Sequence, residues 1–142
     1  MLTAYYSRGC DSADMFNNLD ISKCADYKEH LNKYDVIHLD IQWCIEPAGG
    51  VENVVSYISE STIAELREYY PDIISRDAVS LPETLSQINT MTGSKFIVIV
   101  DEWDVLIRDE NTNSRIQNEY ISFLRAMFKG TEPTKYIQLA YM

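Results

Sequence analysis

The amino-acid sequence predicts an α/β fold built on a mainly parallel sheet, and three observations carry that expectation. The first is Lys95–Asp104, KFIVIVDEWD, in which the apolar run Phe96 to Val100 leads straight into Asp101 and Glu102. A continuous apolar run of that length fits a strand hidden on both faces, the usual state of a parallel-sheet centre. The second is a pair of further strand candidates, VIHLDIQW at 36–43 and the closing YIQLAYM at 136–142. The third is the material between them, where apolar residues recur at helical spacing. Strands separated by helices of this length imply right-handed crossovers and parallel pairing.

In chain order, Met1–Ser7 reads as the last turns of a helix. Arg8–Cys24 is irregular, anchored by Met15, Phe16, Leu19 and Ile21, and Ala25–Tyr34 fits a short helix. The strand at 36–43 follows, with Asp40 near its end, and Pro47-Ala48-Gly49-Gly50 breaks the chain. Val51, Val54, Val55, Ile58, Thr62, Leu66 and Tyr69 then form one face of an amphipathic helix that Pro71 ends. Ser80 to Glu83 matches a capping box with Pro82 in the first turn. Leu81, Leu85, Ile88 and Met91 make the apolar face of the helix it opens, and Gly93 suits the position just past its end. After the strand at 95–101, Ile116, Tyr120, Phe123, Leu124, Met127 and Phe128 mark another helix, closed by Gly130 and Pro133.

A length of 142 residues is that of one domain, and 46% hydrophobic residues can supply its core. No apolar stretch reaches the ~20 residues that span a bilayer. MLTAYYSRGCDS lacks the basic segment and apolar core of a signal peptide, which points to the cytoplasm and away from a membrane. The net charge of -10 opposes direct binding to nucleic acid or anionic lipid. Cys10, Cys24 and Cys44 are odd in number and fit no zinc spacing, so they read as reduced thiols. His38 reads as a packed or edge-facing strand residue, and no Ser/His/Asp arrangement stands out.

The chemistry of the sequence is concentrated at the end of the central strand. Open α/β sheets bind ligands at the C-terminal edge of their strands. An apolar strand ending in Asp-Glu has the form of a Walker B strand. There the Asp helps to hold Mg²⁺, a cation that demands hard oxygen ligands, and the Glu orients the attacking water. The competing account is a buried strand that simply ends in a solvated acidic turn. In a parallel sheet Asp40 would lie along the same edge, either contributing to the site or serving a solvated turn. Asp104 would cap, pair locally or support a metal from the second layer of contacts. Arg108, Arg115 and Arg125 are arginine-finger candidates only in the abstract.

Six segments resemble a known family in content and order: AYYSRGCDS (4–12), HLNKYDVIHLD (30–40), ELREYYPD (65–72), KFIVIVDEWD (95–104), EYISFLRAMFK (119–129) and IQLAYM (137–142). The chain resembles the AAA-ATPase-like family of P-loop ATPases, whose bacterial members often carry a restriction-endonuclease-like domain further along the chain. The resemblance implies a partial P-loop NTPase-like, three-layer α/β/α sandwich covering residues 1–142. It implies Mg²⁺ and ATP as cofactors of a complete member. It gives Asp101 the cofactor and Mg²⁺ role and Glu102 the catalytic-water role, with Asp40 and Asp104 as minor metal candidates.

The sequence departs from the family at one point. No GxxxxGKS or GxxxxGKT occurs, and no glycine is followed by lysine. The backbone N–H groups and lysine of that loop grip the β- and γ-phosphates. The expectation is therefore a Walker B half-site with little or no hydrolysis by itself, in a chain that binds no cofactor or binds one weakly. In the family the phosphate-loop strand lies beside the strand equivalent to 136–142. A bare edge there predicts self-association by strand pairing. The alternatives are a non-catalytic interaction or regulatory module, and a different Mg²⁺ enzyme using Asp40, Asp101 and Glu102. A receiver domain would need a Lys after its last strand, and a restriction-type nuclease a Lys shortly after the acid; neither is present.

Overall fold

The computed structural model describes residues 1–108 and 112–142. The fold is α/β, as expected, and its three strands lie in sequence order: β1 (Asp35–Asp40), β2 (Phe96–Asp101) and β3 (Ile137–Tyr141). Both pairings are parallel. The β1–β2 register is unbroken, from Asp35 opposite Phe96 to Asp40 opposite Asp101. The β2–β3 register shifts once, between Phe96 and Ile97.

Nine α-helices accompany the sheet among the described residues. They are α1 (Leu2–Tyr6), α2 (Ala13–Phe16), α3 (Tyr27–His30), α4 (Ile41–Cys44), α5 (Val54–Tyr69), α6 (Leu81–Thr92), α7 (Val105–Arg108), α8 (Ser114–Phe128) and α9 (Pro133–Tyr136). The three long ones follow their sequence patterns in the main, except that Val51 lies in a 3-10 turn before α5 and Tyr69, at the end of α5, is exposed. Ser80 caps α6, its Oγ accepting from the Glu83 N–H at 3.4 Å, and Gly93 closes that helix at φ 73°. That φ lies in the left-handed region, where a Cβ is penalised. Asn113 caps α8 in the same manner as Ser80, accepting from the Ile116 N–H.

The main core joins one face of the sheet to the long helices. Because side chains alternate along a strand, Ile37 and Leu39 share a face with their register partners Val98 and Val100, and with Phe96. These five pack with Ile58, Ile63, Leu85, Ile88, Tyr120 and Met127, all buried. At about 25 cal/mol per Å² of apolar surface removed from water, this cluster is the main source of stability. A smaller core of Tyr5, Phe16 and Tyr27 ties the N-terminal segment together, and α1 touches β1. No helix among the described residues is long and apolar enough to cross a membrane.

Five local expectations need correction. The first strand ends at Asp40, and residues 41–44 turn into α4. The Asp40 carboxylate accepts from the Trp43 N–H at 2.9 Å, so this residue stops the strand by capping the next helix. Helix structure in 25–34 is confined to α3, because Tyr34 bridges in parallel to Ser7. Of the proposed N-terminal anchors only Phe16 is buried, while Met15, Leu19 and Ile21 are exposed. Met91 is exposed near the end of α6, and Tyr136 belongs to α9 rather than to the last strand.

Candidate functional site

The acidic edge is built by the ends of β1 and β2. Strand β2 is buried from Phe96 to Val100 and surfaces at Asp101, its last residue. Unbroken register sets Asp40 beside it. His38, two residues before Asp40 and therefore on the same face, reaches diagonally across the strands. Its Nε2 lies 2.9 Å from Asp101 Oδ2, and both side chains are largely exposed.

The chain then turns sharply. Glu102 has φ 51°, a left-handed conformation unusual for a residue with a side chain. The turn takes Glu102 out of strand alternation, and its side chain borders an open cleft with Asp40, Gln42, Val105 and Arg108. Arg108, in α7, closes the turn. Its guanidinium donates to Glu102 Oε2 at 2.9 Å and to Asp104 Oδ2 at 2.8 Å. The Asp104 pair has helical i,i+4 spacing, and the Glu102 pair exists only because the backbone reverses.

The turn is also held from below. The Tyr120 hydroxyl, on α8, donates to the Trp103 carbonyl at 2.6 Å. Tyr120 is fully buried, and burial pushes its phenol well above the ordinary tyrosine range, with Asp104 and Cys44 adding to the shift. Burial, followed by the charge of Asp40, raises the Cys44 thiol, which fits an inert packed cysteine. Cys10 and Cys24 are free and exposed.

The predicted site residues thus divide into two groups. Asp40 and Asp101 come together across the register, and Glu102 and Asp104 come together through Arg108. No cluster of three or more His, Cys, Asp or Glu side chains able to hold a metal exists among the described residues. The arrangement nonetheless fits the ordinary Mg²⁺ mode, in which one or two carboxylates act with water and substrate phosphates. Asp101 is exposed, and among the described residues only its Oδ2 is engaged by a side chain.

Two contributors were not evident from the sequence. His38 is edge-facing, one of the two readings its strand position allowed, and it also holds the Asp101 carboxylate. The available signal was the paired ending of the two strands, HLD and VIVD, which aligns when both run to the same edge. Arg108 pairs within the turn, and its offset from Asp104 was the readable clue.

Comparison with known proteins supplies the remaining fact. A family model described as "Predicted AAA-ATPase" matches residues 1–142. No curated protein and no solved structure matches the chain. With the family model covering the whole length, over a parallel sheet whose central strand ends at Asp101 and turns at Glu102, the chain belongs to the AAA-ATPase-like family.

Proposed function

We propose that residues 1–142 carry the Walker B half of an ATPase site, with little or no hydrolysis of their own. The observation behind this reading is Asp101, a solvent-facing carboxylate at the C-terminal end of a buried central parallel strand. When bound, Mg²⁺ would neutralise phosphate charge, and Asp101 is the residue that would hold it through its free oxygen. His38 fixes the rotamer of that carboxylate. Glu102 would orient the attacking water and accept its proton. For that the Glu102 carboxylate must leave Arg108, whose ion pair is exposed and therefore weak.

The Arg108 contacts also favour a second reading. With Glu102 and Asp104 both bound by one guanidinium, the turn is a self-supporting structural corner. In that case the chain is a non-catalytic interaction or regulatory module that keeps only the fold. Calorimetric titration of ATP with Mg²⁺ separates the two, with Asp101→Ala as control. Micromolar binding that the substitution abolishes supports the half-site. Absence of binding at millimolar nucleotide supports the module.

Self-association belongs to the same proposal. Leu139 and Tyr141 are exposed on the outermost strand among the described residues, and Met142 just past it is exposed too. A second copy of this chain is the occupant we assign to the β3 edge, paired strand to strand. Light scattering tests it: a concentration-dependent dimer is expected, and a monomer at high concentration and high salt overturns it.

A further inference from the structure

The opposite edge of the sheet has a different construction. Strand β1 is outermost on that side. Among the described residues, no backbone hydrogen bond outside the strand ladder reaches Val36–Leu39; the nearest such bonds end at Tyr34. In a parallel strand about half of the N–H and C=O groups point away from the paired neighbour, so this stretch presents unpaired backbone to solvent.

That backbone forms the floor of a groove. One cavity, of about 230 Å³, is lined by Arg8, Val36, Ile37, Leu66 and Tyr69. A second, of about 250 Å³, is lined by Asp40, Trp43, Tyr57 and Ser61. His38, Leu39, Thr62 and Glu65 line both, so the two are continuous along β1, with α5 as the outer wall. Each is smaller than the ~300 Å³ at which small-molecule pockets begin. A line of side-chain-sized depressions over a free strand edge is instead the form that receives an added strand.

The electrostatics select the occupant. At one end Arg8 is neutralised by Asp35, with Nε to Oδ1 at 2.9 Å, and Tyr70 also donates to Asp35. At the centre Glu65 is exposed and makes no ion pair among the described residues. At the far end stand Asp40 and Trp43, the latter 66% exposed. A net charge of -10 extends the same sign over the surface and disfavours a second copy in this groove. We propose that the β1 edge is a docking groove for an extended, basic segment of a partner polypeptide, added as a fourth strand beside Val36–Leu39. Main-chain hydrogen bonds would supply affinity, and Glu65, Trp43 and Tyr69 would select alternate basic and aliphatic side chains. The groove goes beyond the nucleotide reading and does not depend on it.

The test uses the 142-residue chain and a capped hexapeptide alternating lysine and valine, with an N-methylated copy as control. Calorimetry should show saturable binding of the first peptide, and the N-methylated copy should bind at least tenfold more weakly. Hydrogen exchange should slow at Val36–Leu39, while the β3 amides stay unchanged. Glu65→Lys should weaken binding by tenfold or more without altering the melting temperature. Equal binding of the two peptides would reduce the interaction to charge attraction and overturn the proposal. So would unchanged exchange at β1, or protection of β1 that rises with protein concentration in the absence of peptide.

Discussion

The two faces of the sheet are made from the same strands, yet they do opposite work. One face presents Ile37, Leu39, Phe96, Val98 and Val100 to the helices and holds the main core. The other presents His38 and Asp40 from β1, Ile97, Ile99 and Asp101 from β2, and Leu139 and Tyr141 from β3. There Ile97 and Ile99 are buried but stand outside the main core, while His38, Asp101, Leu139 and Tyr141 are exposed. An apolar central strand therefore says only that the strand is central. Its edge neighbours reveal which face is packed and which is left for chemistry.

The sharpest way to break this contrast is a cavity. Phe96→Ala should lower the unfolding free energy by about 3–5 kcal/mol, because the ring is fully buried. Tyr141→Ala, on the exposed side of β3, should fall within about 1 kcal/mol. Urea denaturation of both variants measures the difference, and equal losses would refute the asymmetry.

Alkali should attack the packed face next. Burial raises the phenols of Tyr120, Tyr136 and Tyr70, so each keeps its proton in the fold above the pH at which an exposed tyrosine loses it. Stability is then intact below about pH 10 and falls as pH rises above it, since unfolding releases those protons. A urea midpoint that stays flat from pH 9.5 to 11 would contradict this.

Tyr120→Phe should remove about 1–2 kcal/mol by leaving the Trp103 carbonyl without its partner. It should also flatten the alkaline decline. Asp40→Ala should remove about 1 kcal/mol through loss of the α4 cap, measured by the same denaturation curves. The smallest effect is expected at Asp101→Ala, within about 0.5 kcal/mol, because its pair with His38 is exposed. Any Mg²⁺-dependent nucleotide binding should nevertheless vanish. A large stability loss at Asp101 would mean that the carboxylate is structural.

Much of this was legible in the sequence, for physical reasons that differ by element. The apolar run of β2 and the 3–4 residue spacing of α5, α6 and α8 are strong because burial dictates them over many residues. VIHLDIQW misled because its alternation continues past Asp40, whereas a single capping hydrogen bond ends the strand there. Met15, Leu19 and Ile21 misled because three apolar residues without a period carry no information about facing. At the site, Asp101 and Glu102 were visible as a local motif. The grip of His38 on Asp101 joins residues 63 positions apart, and only register brings them together.

The turn at Glu102 has a consequence for how this protein can drift. A residue held at φ 51° is strained by about 1 kcal/mol or more, and glycine would remove that strain. Glu102→Gly should therefore leave the fold as stable as before, or slightly more so, while deleting the carboxylate and leaving Arg108 paired with Asp104 alone. Most positions resist change because change damages the fold; here backbone strain does not oppose it, so stability gives no reason for glutamate at position 102.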